Sequence, residues 1–403
     1  MYEYAVLMAW VEFAVRWVHV ITAIAWIGSS FYFIALDLGL RKAAGMPDKA
    51  SGEEWQVHGG GFYHIQKYMV APDRLPDDLT WFKWESYATW LSGFALMAVV
   101  YYLGAEFYLI DLNVMELAIW QAVLISVASL VFGWIAYDLI CKSPLGRDNT
   151  RLMILLYALL VVMAWGYTQV FTGRAALLHL GAFTATIMSA NVFMVIIPNQ
   201  KIVVADLKAG RVPDAKYGVI AKQRSTHNNY LTLPVLFLML SNHYPLAFAS
   251  EYNWLIAALV FLMGVTIRHF FNTMHAKRGM PWWTWGATAA IFAAIVALSM
   301  APMFREEEQA MTPAAQRFAA APQFEEVVGI VQGRCAMCHA EDPAWDGLHW
   351  APKAVHLETD ADIAHHAREI YLQAGISHAM PPGNLSWMEA EERALLVAWF
   401  RSN

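Results

Sequence analysis

Two thiols and an imidazole stand together near the end of the chain, in Cys335-Ala-Met-Cys338-His339. Thiols two residues apart on one helical turn can both reach the vinyl groups of a tetrapyrrole, and the imidazole that follows then lies beneath the iron. The pattern reads as the attachment site of one covalent haem c. Cys335 and Cys338 are expected to form the thioethers, with His339 as the proximal ligand. The distal ligand should come from a loop over the other haem face, where a thioether raises the reduction potential. Met380 fits best, within Ser377-His-Ala-Met-Pro-Pro-Gly-Asn384, because two prolines forbid a continuing helix and hold the methionine on a stiff turn. His378 is the competing ligand. With three cysteines in all, a disulfide framework is excluded, and a zinc or dithiol reading of the motif has only two clustered thiols to draw on.

The elements that must position these groups are mostly apolar. A composition that is 58% hydrophobic and 15% charged does not describe a soluble protein. A hydrocarbon core about 30 Å thick needs roughly 20 apolar residues per helix. Eight segments approach that length, near 10–36, 86–104, 114–139, 152–172, 175–198, 229–249, 252–272 and 283–304. The fold expected is all-α: a polytopic bundle of about eight transmembrane helices over residues 1–304, a linker at 305–322, and a small class I-like cytochrome c domain at 323–403. The sixth segment is the least regular, since Pro234 and Ser241-Asn242-His243-Tyr244-Pro245 interrupt it. Such breaks survive only where protein or a cavity satisfies the backbone. Acidic Glu3 replaces a basic n-region and no small-residue cleavage site follows, so no cleaved signal peptide is expected.

Loop charges alternate. Residues 37–85, 140–151, 199–228 and 268–282 hold six, three, six and three Lys/Arg, while the intervening loops hold none beyond Arg174 at a helix start. Positive residues stay cytoplasmic, so both termini and the haem motif should face the periplasm of a bacterial inner membrane. The tail from Arg305 carries 15 acids against 7 bases, a net of −8, which suits a basic electron acceptor and salt-sensitive docking. No basic surface points to nucleic acid.

Polar side chains at membrane depth are functional candidates by default. An outer set comprises His19, His179 and His243. One reading is a b-type haem held by two histidines, with His19 and His179 as the first pair and Arg16 one turn away to offset a propionate; the other is hydrogen-bonded interhelical histidines. An inner set comprises His58 and His64, then His227, Asn228 and Asn229, then Arg268, His269, Asn272 and His275. Arg268 offers forked donors and the asparagines both donors and acceptors, as an anionic planar ligand would need. Trp55, Phe62 and Tyr63 could stack on such a ligand, and Gly59-Gly60-Gly61 is either a close backbone approach or a flexible turn.

Longer runs carry a resemblance. Ala25-Trp-Ile-Gly-Ser-Ser-Phe-Tyr-Phe33, Trp55-Gln-Val-His-Gly-Gly-Gly-Phe-Tyr63, Trp81-Phe-Lys-Trp-Glu-Ser-Tyr87 and Thr226-His-Asn-Asn-Tyr-Leu-Thr-Leu-Pro234 resemble the PuuD-type membrane-bound urate oxidases, or urate hydroxylases. Ile196-Ile-Pro-Asn-Gln200 and Arg268-His-Phe-Phe-Asn272 add to it, and the likeness covers nearly the whole chain. It implies an eight-helix domain joined to a cytochrome c, oxidising urate to 5-hydroxyisourate and passing electrons through haem c to a respiratory acceptor rather than directly to oxygen. Nothing in composition or spacing shows urate itself. On the residues alone, an electron-relay cytochrome subunit or a purine transporter with a regulatory cytochrome remain alternatives, and no catalytic base is assigned.

Overall fold

The computed structural model describes residues 2–69, 76–301, 311–348 and 350–403. Long apolar runs set the first part. Helix α1 (Tyr2–Gly39) is followed by a hairpin of β1 (Ala50–His58) and β2 (Gly61–Tyr68). Then come α2 (Trp84–Met97), which continues through a π turn at Ala98–Tyr102, and the short α3 (Ala105–Tyr108). Next are α4 (Ile119–Lys142), α5 (Asn149–Thr168), α6 (Gly173–Ala190) and α7 (Ile197–Lys208), the last two joined by a π turn at Asn191–Ile196 into one rod. Helices α8 (Ala215–Ser241), α9 (Pro245–Phe248), α10 (Asn253–His275) and α11 (Trp283–Met300) complete the bundle.

Among the described residues, six helical stretches are long and apolar enough to cross a membrane: Val6–Gly39, α4, α5, Gly173–Lys208, α10 and α11. The two other expected spans take a different form. The 86–104 segment is 14 residues of regular helix carrying buried Ser86, Thr89 and Ser92 before the π turn. The expected 229–249 span starts earlier, at Ala215, with a polar half containing Lys216, Lys222 and Arg224 capped by the Asp214 carboxylate, and ends at Ser241. Pro234 sits inside that helix without breaking it. Gly264 of α10 makes this possible, since a Cβ there would stand 2.6 Å from the proline Cδ. Both helices lie within the bundle, α2 against α1 and α6, α8 between α6 and α10.

The hairpin departs from an all-α reading. Its antiparallel register pairs Trp55 with His64 and His58 with Gly61, around Gly59 and Gly60 at φ 60° and 79°. Two consecutive positive-φ residues make the tight turn that matches strand twist, so these glycines serve the turn. Arg41 pairs with Glu53 by a backbone bridge, and Tyr32 Oη donates to Gln56 Oε1 at 2.7 Å, which ties the hairpin to the end of α1.

The C-terminal unit comprises α12 (Pro313–Ala319), α13 (Phe324–Arg334), α14 (Ala336–His339), α15 (Asp360–His365), α16 (Ala367–Ile370) with a π turn at Tyr371–Ile376, and α17 (Ala390–Arg401). Its core gathers Phe318, Val327, Val331, Ile363, Leu396 and Trp399. Part of the expected linker is therefore packed structure: Thr312 caps α12, Phe318 is buried, and its carbonyl accepts from Trp399 Nε1 at 3.0 Å. Residues 305–310 of that linker lie outside the described residues.

This unit sits on the loop between α3 and α4. Leu112 packs against both cores, Asn113 Nδ2 donates to the His365 carbonyl at 3.2 Å, and Arg368 donates to the Ile110 carbonyl. Chain direction places the basic loops at the opposite end of the bundle.

Candidate functional site

Helix α13 feeds a single turn in which the Cys338 and His339 amides both donate to the Cys335 carbonyl, at 3.1 and 3.0 Å. That turn sets both thiols and the imidazole side by side. His339 Nδ1 lies 2.8 Å from the Val355 carbonyl, which can only accept, so Nδ1 carries the proton and Nε2 keeps a free lone pair. Burial pushes the Cys335 thiol up to about 12, with the Cys338 thiol beside it adding to the shift. Burial also raises Cys338 and lowers His339, the latter against the opposing bond to Val355. At neutral pH the cluster is thus two protonated thiols and a neutral imidazole with an open nitrogen.

Met380 lies on the loop after the last π turn. Its amide donates to the Gln373 carbonyl at 2.9 Å and its carbonyl accepts from Arg393 Nη1 at 2.9 Å. Arg393, only 7% exposed, also donates to Asn384 Oδ1 at 3.0 Å, so one guanidinium pins both ends of the Met-Pro-Pro-Gly-Asn loop. His378 is exposed at φ 55°. Arg393 escaped the sequence reading because its position on an amphipathic helix looks solvated. Two thiols, an imidazole with its outer nitrogen open and a pinned thioether loop are a donor set suited to covalent haem.

A second cluster lies at the basic end of the bundle. Tyr137 Oη is 2.7 Å from His227 Nδ1 and accepts from Asn191 Nδ2 at 3.0 Å. Asn191 also donates to Asn228 Oδ1 at 2.9 Å and accepts from Arg224 Nη1 at 3.2 Å. Arg224 in turn meets Asp138 at 2.7 Å. Asn191 opens the π turn of the α6–α7 rod, the kind of bulge found frequently at functional sites. Beside this network, Asn229 Oδ1 accepts from Asn272 Nδ2 at 2.9 Å and lies 3.4 Å from Arg268 Nε, while Arg268 Nη2 donates to Asn272 Oδ1 at 3.1 Å. The Arg268 guanidinium lies over the Phe31 ring at 4.3 Å.

The two arginines differ in one decisive respect. Arg224 is 2% exposed and paired with a carboxylate; Arg268 is 6% exposed, and no carboxylate pairs with it among the described residues. A buried cation without a counter-ion is costly unless an anion completes it. Asn229 Nδ2 and His227 Nε2 are likewise buried without hydrogen-bond partners. The layer can therefore offer an anionic, hydrogen-bonding ligand a cation, an amide donor and an imidazole nitrogen.

Of the residues singled out from sequence, Asn228, Asn229, His227 and Arg268 come together here. His269 does not: one residue from Arg268 it faces outward, 6.0 Å from the Trp283 ring. His58 ends an exposed strand, and His64 stacks on Trp55 at 4.1 Å and bonds Glu53 at 2.8 Å. Trp55, Phe62 and Tyr63 stay exposed on the hairpin. Arg224, Asp138, Tyr137 and Asn191 were missed. Asp138 gave the available signal, an acid at the end of an otherwise apolar span; Arg224 was absorbed into the loop-charge count.

The outer histidines separate as well. His19 Nδ1 lies 3.1 Å from the Thr89 carbonyl and 3.2 Å from Ser92 Oγ. His179 is fully buried among the rings of Phe171, Tyr167 and Tyr101, with Nδ1 2.7 Å from the Ala175 carbonyl.

With this geometry in place, one comparison is decisive: residues 5–299 match the family model described as Urate oxidase N-terminal. The chain belongs to that family. Its membership makes the bundle a urate oxidase-related domain and the chain an oxidoreductase, with urate as the substrate the family indicates. The matched region ends within α11, before the C-terminal unit begins. No curated protein and no solved structure matches the chain.

Proposed function

We propose that this chain is a PuuD-type, membrane-bound urate oxidase that converts urate to 5-hydroxyisourate and passes the electrons to a haem c on its own C-terminal unit. Urate and water give 5-hydroxyisourate, two protons and two electrons. A haem held by Cys335, Cys338, His339 and Met380 would supply one-electron acceptance and donation. The observation that carries the reading is the His339 imidazole, its Nδ1 bound to Val355 and its Nε2 open beside two free thiols, on a unit directly continuous with a urate oxidase family domain.

In this reading urate binds at the inner polar layer. Arg268 supplies the counter-charge, Asn229 and Asn272 orient the purine edge, and His227, in the tautomer whose Nδ1–H donates to Tyr137 Oη, takes a proton at Nε2. Helices α1, α2, α4, α5, the α6–α7 rod, α8, α10 and α11 span a bacterial inner membrane, and both termini face the periplasm, as the loop charges direct. The acidic C-terminal tail docks a basic acceptor such as a soluble cytochrome or a terminal oxidase.

The test is turnover in water labelled with heavy oxygen, under argon, with ferric cytochrome c as final acceptor. Label in the hydroxyl of the product and urate-dependent reduction of the acceptor are expected. Turnover that requires dioxygen and yields hydrogen peroxide would overturn the reading.

A further inference from the structure

The hairpin of β1 and β2 holds four large apolar side chains, Trp55, Val57, Phe62 and Tyr63, that stay exposed among the described residues. Val57 and Phe62, paired across the strands next to the Gly59-Gly60 turn, are 73% and 78% exposed. Apolar residues scattered singly over a surface need no explanation, but a contiguous set marks something that binds there.

The direction of the hairpin decides what that is. Its root is fixed at the end of α1 by the backbone bridge between Arg41 and Glu53 and by the pairing of Lys67 with Asp37. Three residues further along β1, roughly 10 Å, Gln56 meets Tyr32. Tyr32 itself lies seven residues, about 10 Å, before the end of α1. Strand β1 therefore runs back along the helix, with the turn leading. At 1.5 Å per residue the run Val6–Gly39 measures about 51 Å against a hydrocarbon core of about 30 Å, so an upright α1 projects past that core by roughly 20 Å. The hairpin lies beside the last turns of α1, and its tip returns toward the membrane surface.

Alternation along the strands sorts the two faces. Glu54, Gln56 and Lys67 turn to α1, where the Glu54 carboxylate lies against Gly39. Trp55, Val57, Phe62 and His64 share the opposite face, with the Trp55 ring stacked on His64 at 4.1 Å. That face changes from Glu53 and Gln66 at the root, through Trp55 and His64, to Val57 and Phe62 near the tip. Charge is kept at the end far from the membrane, and apolar surface at the end that approaches it.

Three other exposed tryptophans lie at the same depth. Phe33 of α1 meets Phe82 at 4.7 Å, just before Trp84 at the start of α2. Arg268 of α10 faces Phe31, and Phe270 two residues on meets Trp282 at 5.3 Å, next to Trp283 at the start of α11. Trp84, Trp282 and Trp283 are all exposed. The level of α1 at which Gln56 holds Tyr32 therefore carries a belt of indoles, the pattern of a membrane–water interface.

We propose that the hairpin is a membrane-surface anchor whose tip dips into lipid at the basic end of the bundle, with Trp55, Val57 and Phe62 at the boundary between headgroups and acyl chains. Its depth is limited. A two-stranded hairpin leaves backbone groups unpaired along both edges, which hydrocarbon does not tolerate and hydrated headgroups do. The polar apex His58-Gly59-Gly60 sets the same limit. By holding Tyr32, the anchor also fixes the turn of α1 whose Phe31 ring lies on Arg268. This placement rests on the bundle's lying in a bilayer and not on the identity of the substrate.

The test is photocrosslinking of the full-length protein in vesicles of phosphatidylcholine and phosphatidylglycerol, with p-benzoylphenylalanine placed at one position at a time and the adducts read by mass spectrometry. Phe62→p-benzoylphenylalanine and Val57→p-benzoylphenylalanine should each give phospholipid adducts. The same replacement of Gln66, at the root of the same face, should give none. Ile24, exposed midway along α1, is the positive control. Positions 57 and 62 are replaced in separate proteins, so one that fails to fold leaves the other informative. Phospholipid at position 24 with none at 57 or 62 would overturn the anchor. Crosslinked dimers at 62 in place of lipid would overturn it too, since the face would then join copies of this chain, as would adducts from 62 to another part of the same chain, which would make the hairpin a lid. No lipid adduct even at position 24 would remove the bilayer from the account, and the anchor with it.

Discussion

Arg268 separates a ligand-binding cation from a structural one, and its replacement should move stability and substrate affinity in opposite directions. Its guanidinium is 6% exposed and held by Asn272 at 3.1 Å, a long contact to Asn229 at 3.4 Å and the face of Phe31 at 4.3 Å. None of these neutralises it. A charge-assisted hydrogen bond to a urate anion in this partly desolvated layer contributes about 1.5–3 kcal/mol, so Arg268→Met should weaken urate roughly ten- to a hundredfold. Arg268→Lys keeps the charge but loses the planar fork and the stacking on Phe31, and should recover only part. Without substrate the same methionine removes an unpaired buried charge, while Asn229 and Asn272 keep their mutual bond at 2.9 Å. The ligand-free protein should therefore gain about 1 kcal/mol, seen as a rise of roughly 2 °C in melting temperature. The assay is urate-dependent reduction of the covalent haem at matched haem content, alongside melting in detergent. Unchanged urate dependence in all three proteins, or destabilisation by Arg268→Met, would show that Arg268 is a positive-side anchor and refute the reasoning.

Asp138→Asn should cost about 3–5 kcal/mol, because it leaves the 2%-exposed Arg224 guanidinium without its partner. The double replacement Asp138→Leu with Arg224→Met should recover much of that in the same melting assay. Met380→Ala should keep covalent haem but lose the sulfur-to-iron charge-transfer band, and an unchanged band would remove Met380 as a ligand. In the C-terminal unit, burial alone would raise the Glu392 carboxyl, but Arg334 at 2.8–3.1 Å and the Glu389 amide hold it below the ordinary carboxylate value. A depressed carboxyl stabilises above its unfolded pKa, so this contribution should be present at neutral pH and fade as pH falls through the acidic range. The stability difference between wild type and Glu392→Gln should shrink accordingly. Reporter fusions after residues 110 and 250 should read periplasmic and those near 145 and 212 cytoplasmic, and the opposite pattern would invert the topology.

The clustering of Cys335, Cys338 and His339 was legible because it is local: the three share one turn whatever surrounds them. The long apolar spans were legible for the same reason, since each satisfies its own backbone within the segment. What depends on which face a residue turns inward was not legible. His19 and His179 both read as outer-half histidines, and only the fold shows that the first meets the Thr89 carbonyl while the second is buried among Phe171, Tyr167 and Tyr101. Arg268 was singled out from sequence, whereas Arg224 read only as a positive-side charge until its pairing with Asp138 appeared. The strands of the hairpin were not read, although Gly59-Gly60 between aromatic-rich segments carried the turn signal and a turn was one of the two readings given to those glycines. Polar residues in α2 and α8 lower their hydropathy because these helices face neighbouring helices and the polar layer.

The central claim is that urate delivers electrons to the haem on this same chain. Anaerobic titration of the purified protein with urate, following the reduced α-band of the covalent haem, tests it without any partner. The account predicts reduction by urate alone, saturating with urate, and its loss in Cys335→Ala/Cys338→Ala. A haem that dithionite reduces fully but urate leaves oxidised at every concentration would contradict it.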